Sequence, residues 1–203
     1  MVATEPLVKG SLMLGVVVTM RRHRKQGRIS SDELTARLSK SGLEMLEEKI
    51  DIGRWYPIRI FCELLDLDWA VGGRGDPDYM RSEGEKAAER LFVSGIYQQL
   101  QYAERVGRVH ARDALIRQAK LITTITGTLY SFLEFRVQLN AQELQIDYGN
   151  AAAFSEALRY TTEGFMNQIN KRQKSSARWS SKRARPDLVI FTLRLPQRLL
   201  AES

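Results

Sequence analysis

The residue types most able to do chemistry are few in this sequence, and they lie far apart. Its two histidines are His23 and His110, and Cys62 is the single cysteine. Neither histidine belongs to a metal-ligand spacing such as His-Glu-x-x-His, and one cysteine builds neither a disulfide framework nor a thiolate zinc site. The glycines of 72–75 lack the strand before and the Lys-Ser/Thr after that a phosphate loop needs, so they predict a turn. We therefore predict a protein that is not an enzyme and has no metal or other cofactor.

Positive charge offers a different kind of chemistry, and it is concentrated in one segment. The chain carries 31 Lys and Arg against 24 Asp and Glu, and removing the seven cations of 171–185 leaves 24 of each sign. These cations could bind phosphates while Trp179 stacks on a base. They could equally bind an acidic protein partner or an anionic membrane surface, or form a solvated linker. We predict a basic loop over 171–186 and favour a protein partner over nucleic acid. The candidate contact residues are Lys171, Arg172, Lys174, Arg178, Trp179, Lys182, Arg183 and Arg185.

A third candidate site is aromatic and lies at the beginning of a predicted helix and along it. Its residues are Trp55, Tyr56, Phe61 and Trp69. Aromatic residues at helical spacing are usually core, and the alternative is that they line an apolar pocket for a small ligand. The acidic residues of the same helix, among them Asp68, are interpreted as a solvated face.

The elements that must position these residues are helical in the first portion of the chain. Ser11 predicts the cap of a helix that continues to about Arg24. Ser30 followed by Glu33 is a capping box, and Pro57 and Pro77 each suit the first turn of a helix. Residues 1–125 are therefore predicted to be mainly helical.

The hydrophobic period changes to that of strands after this portion. Apolar residues alternate over 128–139, then over 143–148 and again over 188–195, with a helix predicted at 151–170. A small antiparallel sheet needs a cover for its apolar face, and the helices supply one. We therefore predict one α+β domain over residues 1–203. In it the helical portion (1–125) packs with a small antiparallel sheet in the portion 128–195, made of a β-hairpin, a long helix and a final strand.

The composition and the placement of apolar residues argue against a disordered, a membrane-spanning and a secreted protein. Hydrophobic residues make up 43% of the chain, which excludes disorder as a description of the whole. The longest apolar run, at 12–20, has about half of the roughly 20 residues that a membrane-crossing helix needs. Positive charges follow that run, whereas a secretory leader has them before it. We expect a cytoplasmic protein without a transmembrane segment.

The order of these landmarks resembles a known family. Leu7-Val8-Lys9-Gly10-Ser11 opens an apolar helix, Trp55-Tyr56-Pro57 and Gly75-Asp76-Pro77 begin two more, and a strand–strand–helix–strand unit follows. This order resembles a paralogous family of unknown function expanded in myxobacteria, which is distantly similar to heme–nitric-oxide-binding (H-NOX) sensors and to the 4-vinyl reductase domain. The resemblance implies a bacterial α+β ligand-pocket or interaction fold with no defined reaction. It favours a signalling or regulatory protein that binds a small apolar ligand or a protein partner, with nucleic-acid association as the alternative.

The same resemblance raises heme as a candidate cofactor. H-NOX proteins ligate iron through a histidine on a helix and hold the propionates with a Tyr-x-Ser-x-Arg motif. The helical candidate here is His110, because His23 lies in a basic helix end. The nearest match to the motif is Tyr130-Ser131 with Arg136, and its spacing differs. A heme-based gas sensor is therefore the least favoured of the three functions.

Overall fold

The computed structural model describes residues 5–93, 111–140, 142–172 and 176–195. These ranges contain helices and two antiparallel sheets, so the predicted α+β class is confirmed. The helices are α1 (Gly10–Lys25), α2 (Ser31–Arg37), α3 (Lys40–Glu47), α4 (Ile58–Val71), α5 (Pro77–Val93), α6 (Ala111–Leu129) and α7 (Glu156–Arg172). The strands are β1 (Leu7–Lys9), β2 (Trp55–Pro57), β3 (Glu134–Leu139), β4 (Glu143–Gly149), β5 (Trp179–Arg185) and β6 (Leu188–Arg194).

Local side-chain chemistry sets several helix starts. The predicted capping box before α2 is confirmed: the Glu33 amide donates to Ser30 Oγ, and the Ser30 amide donates to the Glu33 carboxylate. Asp76 caps α5 by accepting the Asp78 amide, with Pro77 as the first helical residue, as predicted. Pro57 was predicted in the first turn of a helix, but it is the last residue of β2, and α4 begins one residue later, at Ile58.

The larger sheet has the strand order β3-β4-β6-β5, with every neighbouring pair antiparallel. The predicted β3–β4 hairpin is present, and Asn140 Oδ1 accepts the amides of Gln142 and Glu143 in its turn. The strand predicted from residue 128 begins later, at Glu134. The reason is that α6 continues to Leu129, and the Tyr130 amide still donates to the carbonyl of Thr126 in helical fashion.

The predicted basic loop over 171–186 is wrong for most of its described length. Lys171 and Arg172 end α7, and Trp179–Arg185 is the fourth strand of the sheet. Its side chains do not alternate between apolar and polar, which conceals the strand in the sequence. What defines it is backbone pairing with β6, whose inner-facing residues are apolar. Lys174 lies outside the described residues.

Two contacts bring the helical portion and the sheet portion together. Val8 of β1 pairs with Tyr56 of β2 and also forms a bridge with Tyr130, and the buried residues of both portions form one continuous cluster. Helices α5 and α7 cross so closely that a Cβ added at Gly84 would lie 1.9 Å from the Thr161 carbonyl oxygen. Only glycine permits this approach of two backbones.

No helix in the described ranges has the length and apolar character needed to span a bilayer.

Candidate functional site

The structure disperses the predicted basic residues among different environments. Three arginines are held by carboxylates: Arg172 by Glu89, Arg183 by Glu156, and Arg185 by Asp187. The other described cations are exposed, and in the described part of the chain no carboxylate lies within ion-pair distance of them. They are Lys171, Arg178 and Lys182.

Trp179 does not lie on the surface with these cations. It is 2% exposed, faces the core in register with Leu193, and donates from Nε1 to Asn170 Oδ1 at 3.3 Å. A nucleic-acid base could stack on this ring only after the ring left the core, which would forfeit a burial contribution of about 3–5 kcal/mol. The base-stacking role proposed for Trp179 therefore has no support in this arrangement.

The outer edge of β5 is covered by side chains of α7. The Asn167 side chain donates to the Trp179 carbonyl at 3.2 Å and accepts the Trp179 amide at 2.7 Å, as a neighbouring strand would. Arg159 donates to the Ser181 carbonyl at 2.9 Å. Unpaired strand edges attract other chains, and these contacts satisfy the backbone groups that would do so. An added strand therefore has no free partner at Trp179 or at the Ser181 carbonyl.

Arg183 anchors the end of β5 to the beginning of α7. Its guanidinium donates to Glu156 at 2.8 Å and to the carbonyls of Ala151 and Pro186 at 3.2 and 3.0 Å. Partial burial pushes the pKa of Glu156 upward, but the hydrogen bonds from Arg159 and Arg183 outweigh it and lower that pKa. Arg183, one of the predicted contact residues, therefore stabilises the fold.

The inner face of the sheet combines buried aliphatic side chains with a cluster of aromatic rings. Tyr148 lies at their centre, with ring centroids of Phe135 at 4.9 Å, Phe191 at 4.7 Å and Phe154 at 5.8 Å. The Tyr148 hydroxyl lies 3.2 Å from the Thr126 hydroxyl. Tyr148 and Phe191 are fully buried and Phe154 is 1% exposed, so this layer is packed core.

The four residues of the predicted aromatic pocket have four different environments. Trp55 is 36% exposed with Lys9 Nζ 4.6 Å from its ring centroid, whereas Tyr56 is buried and accepts the Asp51 amide through its hydroxyl. Phe61 is buried in the core, and half-buried Trp69 meets Tyr160 edge to face. Their role as a pocket remains a prediction.

The outer face of the sheet is polar and open to solvent. Ser180, Thr192, Gln145 and Gln138 are paired in register, one from each strand, and so form a polar row across all four strands. A shallow groove of about 230 Å³ lies over the β5, β6 and β4 part of this row. Three charged side chains, those of Lys182, Arg194 and Glu143, line the groove together with Ser180, Thr192 and Gln145.

A buried polar cluster joins three helices, and the sequence interpretation missed it. His23 Nε2 lies 2.8 Å from Asp68 Oδ1, and the Tyr79 hydroxyl donates to the same oxygen at 2.9 Å. His23 lies in the basic last turn of α1, as predicted, but its side chain is 1% exposed. Asp68 is 3% exposed, so the solvated face predicted for it is wrong. Burial raises the pKa of Asp68, and the hydrogen bonds from His23 and Tyr79 oppose that rise. The spacing of Met13, Val16, Val17, Met20 and His23 places this histidine on the apolar face of α1 and was the available signal.

The residues at the propionate-binding positions do not fit a heme. Counted from Tyr130, the Tyr-x-Ser-x-Arg spacing places Phe132 at the serine position and Glu134 at the arginine position. A carboxylate there would repel a propionate. Ser131 Oγ instead accepts the Leu7 amide, and Arg136 is exposed on the outer face. His110 lies outside the described residues, within which no group of three or more His, Cys, Asp or Glu is placed to hold a metal ion.

Several solved H-NOX proteins have a similar arrangement of elements. A mutant H-NOX protein from K. algicida, in the Fe(II) unliganded form, aligns with a TM-score of 0.62 at 16% identity, over 93% of this chain and 97% of that one. A mutant H-NOX from T. tengcongensis aligns with a TM-score of 0.54 at 10% identity, over 92% and 95% of the two chains. A Cs H-NOX mutant gives 0.51 at 12% identity, over 92% and 94%. No protein-family model and no curated protein matches the sequence. At these identities the likeness shows the fold, and this chain has the α+β fold of H-NOX domains.

Proposed function

We propose that the protein is a non-enzymatic, cytoplasmic signalling or regulatory domain that acts by binding a protein partner. The observation that carries the proposal is the contrast between the two faces of the larger sheet. Buried aliphatic and aromatic side chains fill the inner face, whereas the outer face presents a solvent-open polar row with a groove. A domain with this arrangement has its accessible recognition chemistry on its surface.

The buried polar groups support the non-enzymatic part of the proposal. The cluster with a general-base candidate, His23 with Asp68, is closed from solvent and connects α1 to α4. A general base has to come within hydrogen-bond reach of the proton that it abstracts. The cluster is therefore placed to hold helices together, and a substrate would have to open them to reach it.

The proposal is tested by placing a photo-crosslinking amino acid at Ser180, which is exposed on the outer face. The protein is expressed in the cells that make it naturally and irradiated, and the adducts are identified by mass spectrometry. We expect one discrete protein adduct from Ser180 and none from the control position Arg37, which is exposed on α2. Equal adducts from both positions, or none from either, would count against partner binding at this face.

A ligand sensor is the second candidate, and the shared fold favours it, because one of the similar H-NOX structures is an Fe(II) form. A heme or small apolar ligand held against the inner face of the sheet would have to displace Tyr148 or Phe154 from their ring contacts. Titration of the purified protein with hemin separates the two candidates. We expect no saturable Soret band. Stoichiometric uptake of hemin would favour the sensor and weaken the proposed function.

A further inference from the structure

We propose that the groove on the outer face binds an acidic, extended segment of the partner protein. This inference deepens the proposed function and rests on it. This basic groove is the surface formed by Lys182, Arg194, Ser180 and Thr192, with Gln145 and Glu143 at its β4 side.

Charge in the basic groove is unbalanced. Lys182 lies opposite Ile190 in register, and among the described residues no carboxylate comes within ion-pair distance of Lys182 or Arg194. The single acid of the groove is Glu143, which is in register with Arg194. Two cations therefore face one carboxylate, and an acidic segment restores the balance.

The other half of the outer face has the opposite balance of charge, because Glu134 and Asp147 face a single cation, Arg136. Asp147 is in register with Arg136 and accepts hydrogen bonds from Gln138 at 3.1 Å and from Gln145 at 2.6 Å. The β3 side therefore carries more negative than positive charge. An acidic segment is therefore attracted to the β5–β6 side.

The spacing of the groove fits a segment with polar residues between its acids. Lys182 follows Ser180 by two residues on β5, and Arg194 follows Thr192 by two residues on antiparallel β6, so the cations lie on opposite sides of the polar row. The hydroxyls of Ser180 and Thr192 lie between them. That of Thr192 can donate to a backbone carbonyl of the segment, whereas that of Ser180 donates to the Thr192 carbonyl at 3.4 Å and can accept from a backbone amide. A peptide with acids toward both ends meets both cations at once.

The same features argue against nucleic acid as the occupant. Binding of single strands combines a track of cations with aromatic side chains on which bases stack. The aromatic ring of β5, that of Trp179, is buried on the opposite face. Glu143 inside the groove would repel every phosphate that passed it, whereas a peptide can place a neutral residue there.

Fluorescence anisotropy with the full chain tests the inference. The probe is a labelled peptide of alternating glutamate and serine, about eight residues long. It is long enough to reach both cations, because they lie about four residues apart along the strands and an extended residue spans about 3.3 Å. A peptide with glutamine in place of glutamate is the uncharged comparison, and a thymidine oligonucleotide of equal length represents nucleic acid. The groove variant is Lys182→Glu with Arg194→Glu. The matched control, with the same change of net charge, is Lys49→Glu with Arg37→Glu, both on exposed residues of the helical portion.

We expect the glutamate peptide to bind the unmodified chain and the control, and to bind the groove variant at least about tenfold more weakly. Equal binding to both variants, or equal binding of the glutamine peptide, overturns the inference. Tighter binding of the oligonucleotide that is lost in the groove variant also overturns it and assigns the groove to nucleic acid. A crosslinked partner from Ser180 together with no binding of the glutamate peptide would contradict the acidic segment as the occupant and still support partner binding. Binding of the glutamate peptide without any crosslinked partner would support the groove's preference for acidic segments and count against the proposed function.

Discussion

The two faces of the larger sheet are built from alternate residues of the same strands, yet they have opposite properties. Phe191 and Ile146 point inward and are fully buried, while their neighbours Thr192 and Gln145 belong to the polar row outside. Alternation along a strand makes this separation possible, because successive side chains point to opposite faces. Stability and recognition can therefore be changed independently at positions that are adjacent in sequence.

Strand β5 is where this separation is least complete. Its inward residues are Trp179, which is buried, and then Ser181 and Arg183, which are half-buried and polar. Contacts from α7, rather than an apolar layer, hold this strand in place: Asn167 pairs with Trp179, and Arg159 donates to the Ser181 carbonyl and hydroxyl. A strand anchored in this way can carry many cations and still belong to the sheet.

The largest expected difference between the faces is at β6. Phe191→Ala removes a ring from the centre of the aromatic layer and leaves a cavity, so it should lower the free energy of unfolding by about 3–5 kcal/mol. Thr192→Ala, one residue later on the outer face, should change it by less than about 0.5 kcal/mol. Urea denaturation followed by circular dichroism measures both. Similar losses for the two variants would break the comparison.

A smaller loss is expected where α7 covers the edge of β5. Asn167→Leu leaves the Trp179 amide and carbonyl without their partner, which should cost about 1–3 kcal/mol. The opened edge should also make the protein self-associate as its concentration rises. Denaturation and analytical ultracentrifugation give the two readouts. Gln142→Leu, on an exposed side chain in the β3–β4 turn, is the matched control and should affect neither.

This dependence on α7 explains which strands could be predicted from the sequence. Strands β3, β4 and β6 show apolar alternation because their inner faces meet the core directly. Strand β5 does not, and the side chain of Asn167 that pairs with Trp179 comes from a helix 12 residues earlier. No local pattern in 171–185 records that contact, so the cations dominated the interpretation and a loop was predicted.

Candidate sites were predictable only where one element contains the whole signal. The helical spacing of His23 with Met20 and Val17 indicates its burial, but its partners Asp68 and Tyr79 come from two other helices. The basic groove depends on the register of three strands, one of which was not predicted. Sequence patterns report which face of an element is apolar, and they do not report which elements meet.

A still smaller effect on stability is expected for Glu156, the carboxylate partner of Arg183, and this effect should depend on pH. The pKa of Glu156 is lowered in the folded protein, so its stabilising contribution is present above the ordinary glutamate pKa and is lost as the pH falls through the folded-state value. Glu156→Gln should therefore be less stable at neutral pH, by less than about 1 kcal/mol because the side chain is 42% exposed. The difference should shrink as the pH falls from neutral and vanish once the pH is below the lowered folded-state pKa of Glu156. Urea denaturation across this pH range tests it, and a difference that grew in acid would contradict the sign.

The smallest effect on stability is expected at Lys182, beside Arg183 on the same strand. Lys182 is exposed and, in the described part of the chain, has no carboxylate within ion-pair distance, so Lys182→Gln should change the free energy of unfolding by less than about 0.5 kcal/mol. Arg183→Gln should cost about 1–3 kcal/mol, because it removes the donor to the half-buried carbonyl of Phe154 and one of the two donors to the carbonyl of Ala151. Crosslinking from Ser180 should change in the opposite order, falling for Lys182→Gln and persisting for Arg183→Gln under conditions where both are folded. If Lys182→Gln were the more destabilising of the two changes, the charge of Lys182 would contribute to stability. That result would contradict the proposal that the outer face is the recognition surface.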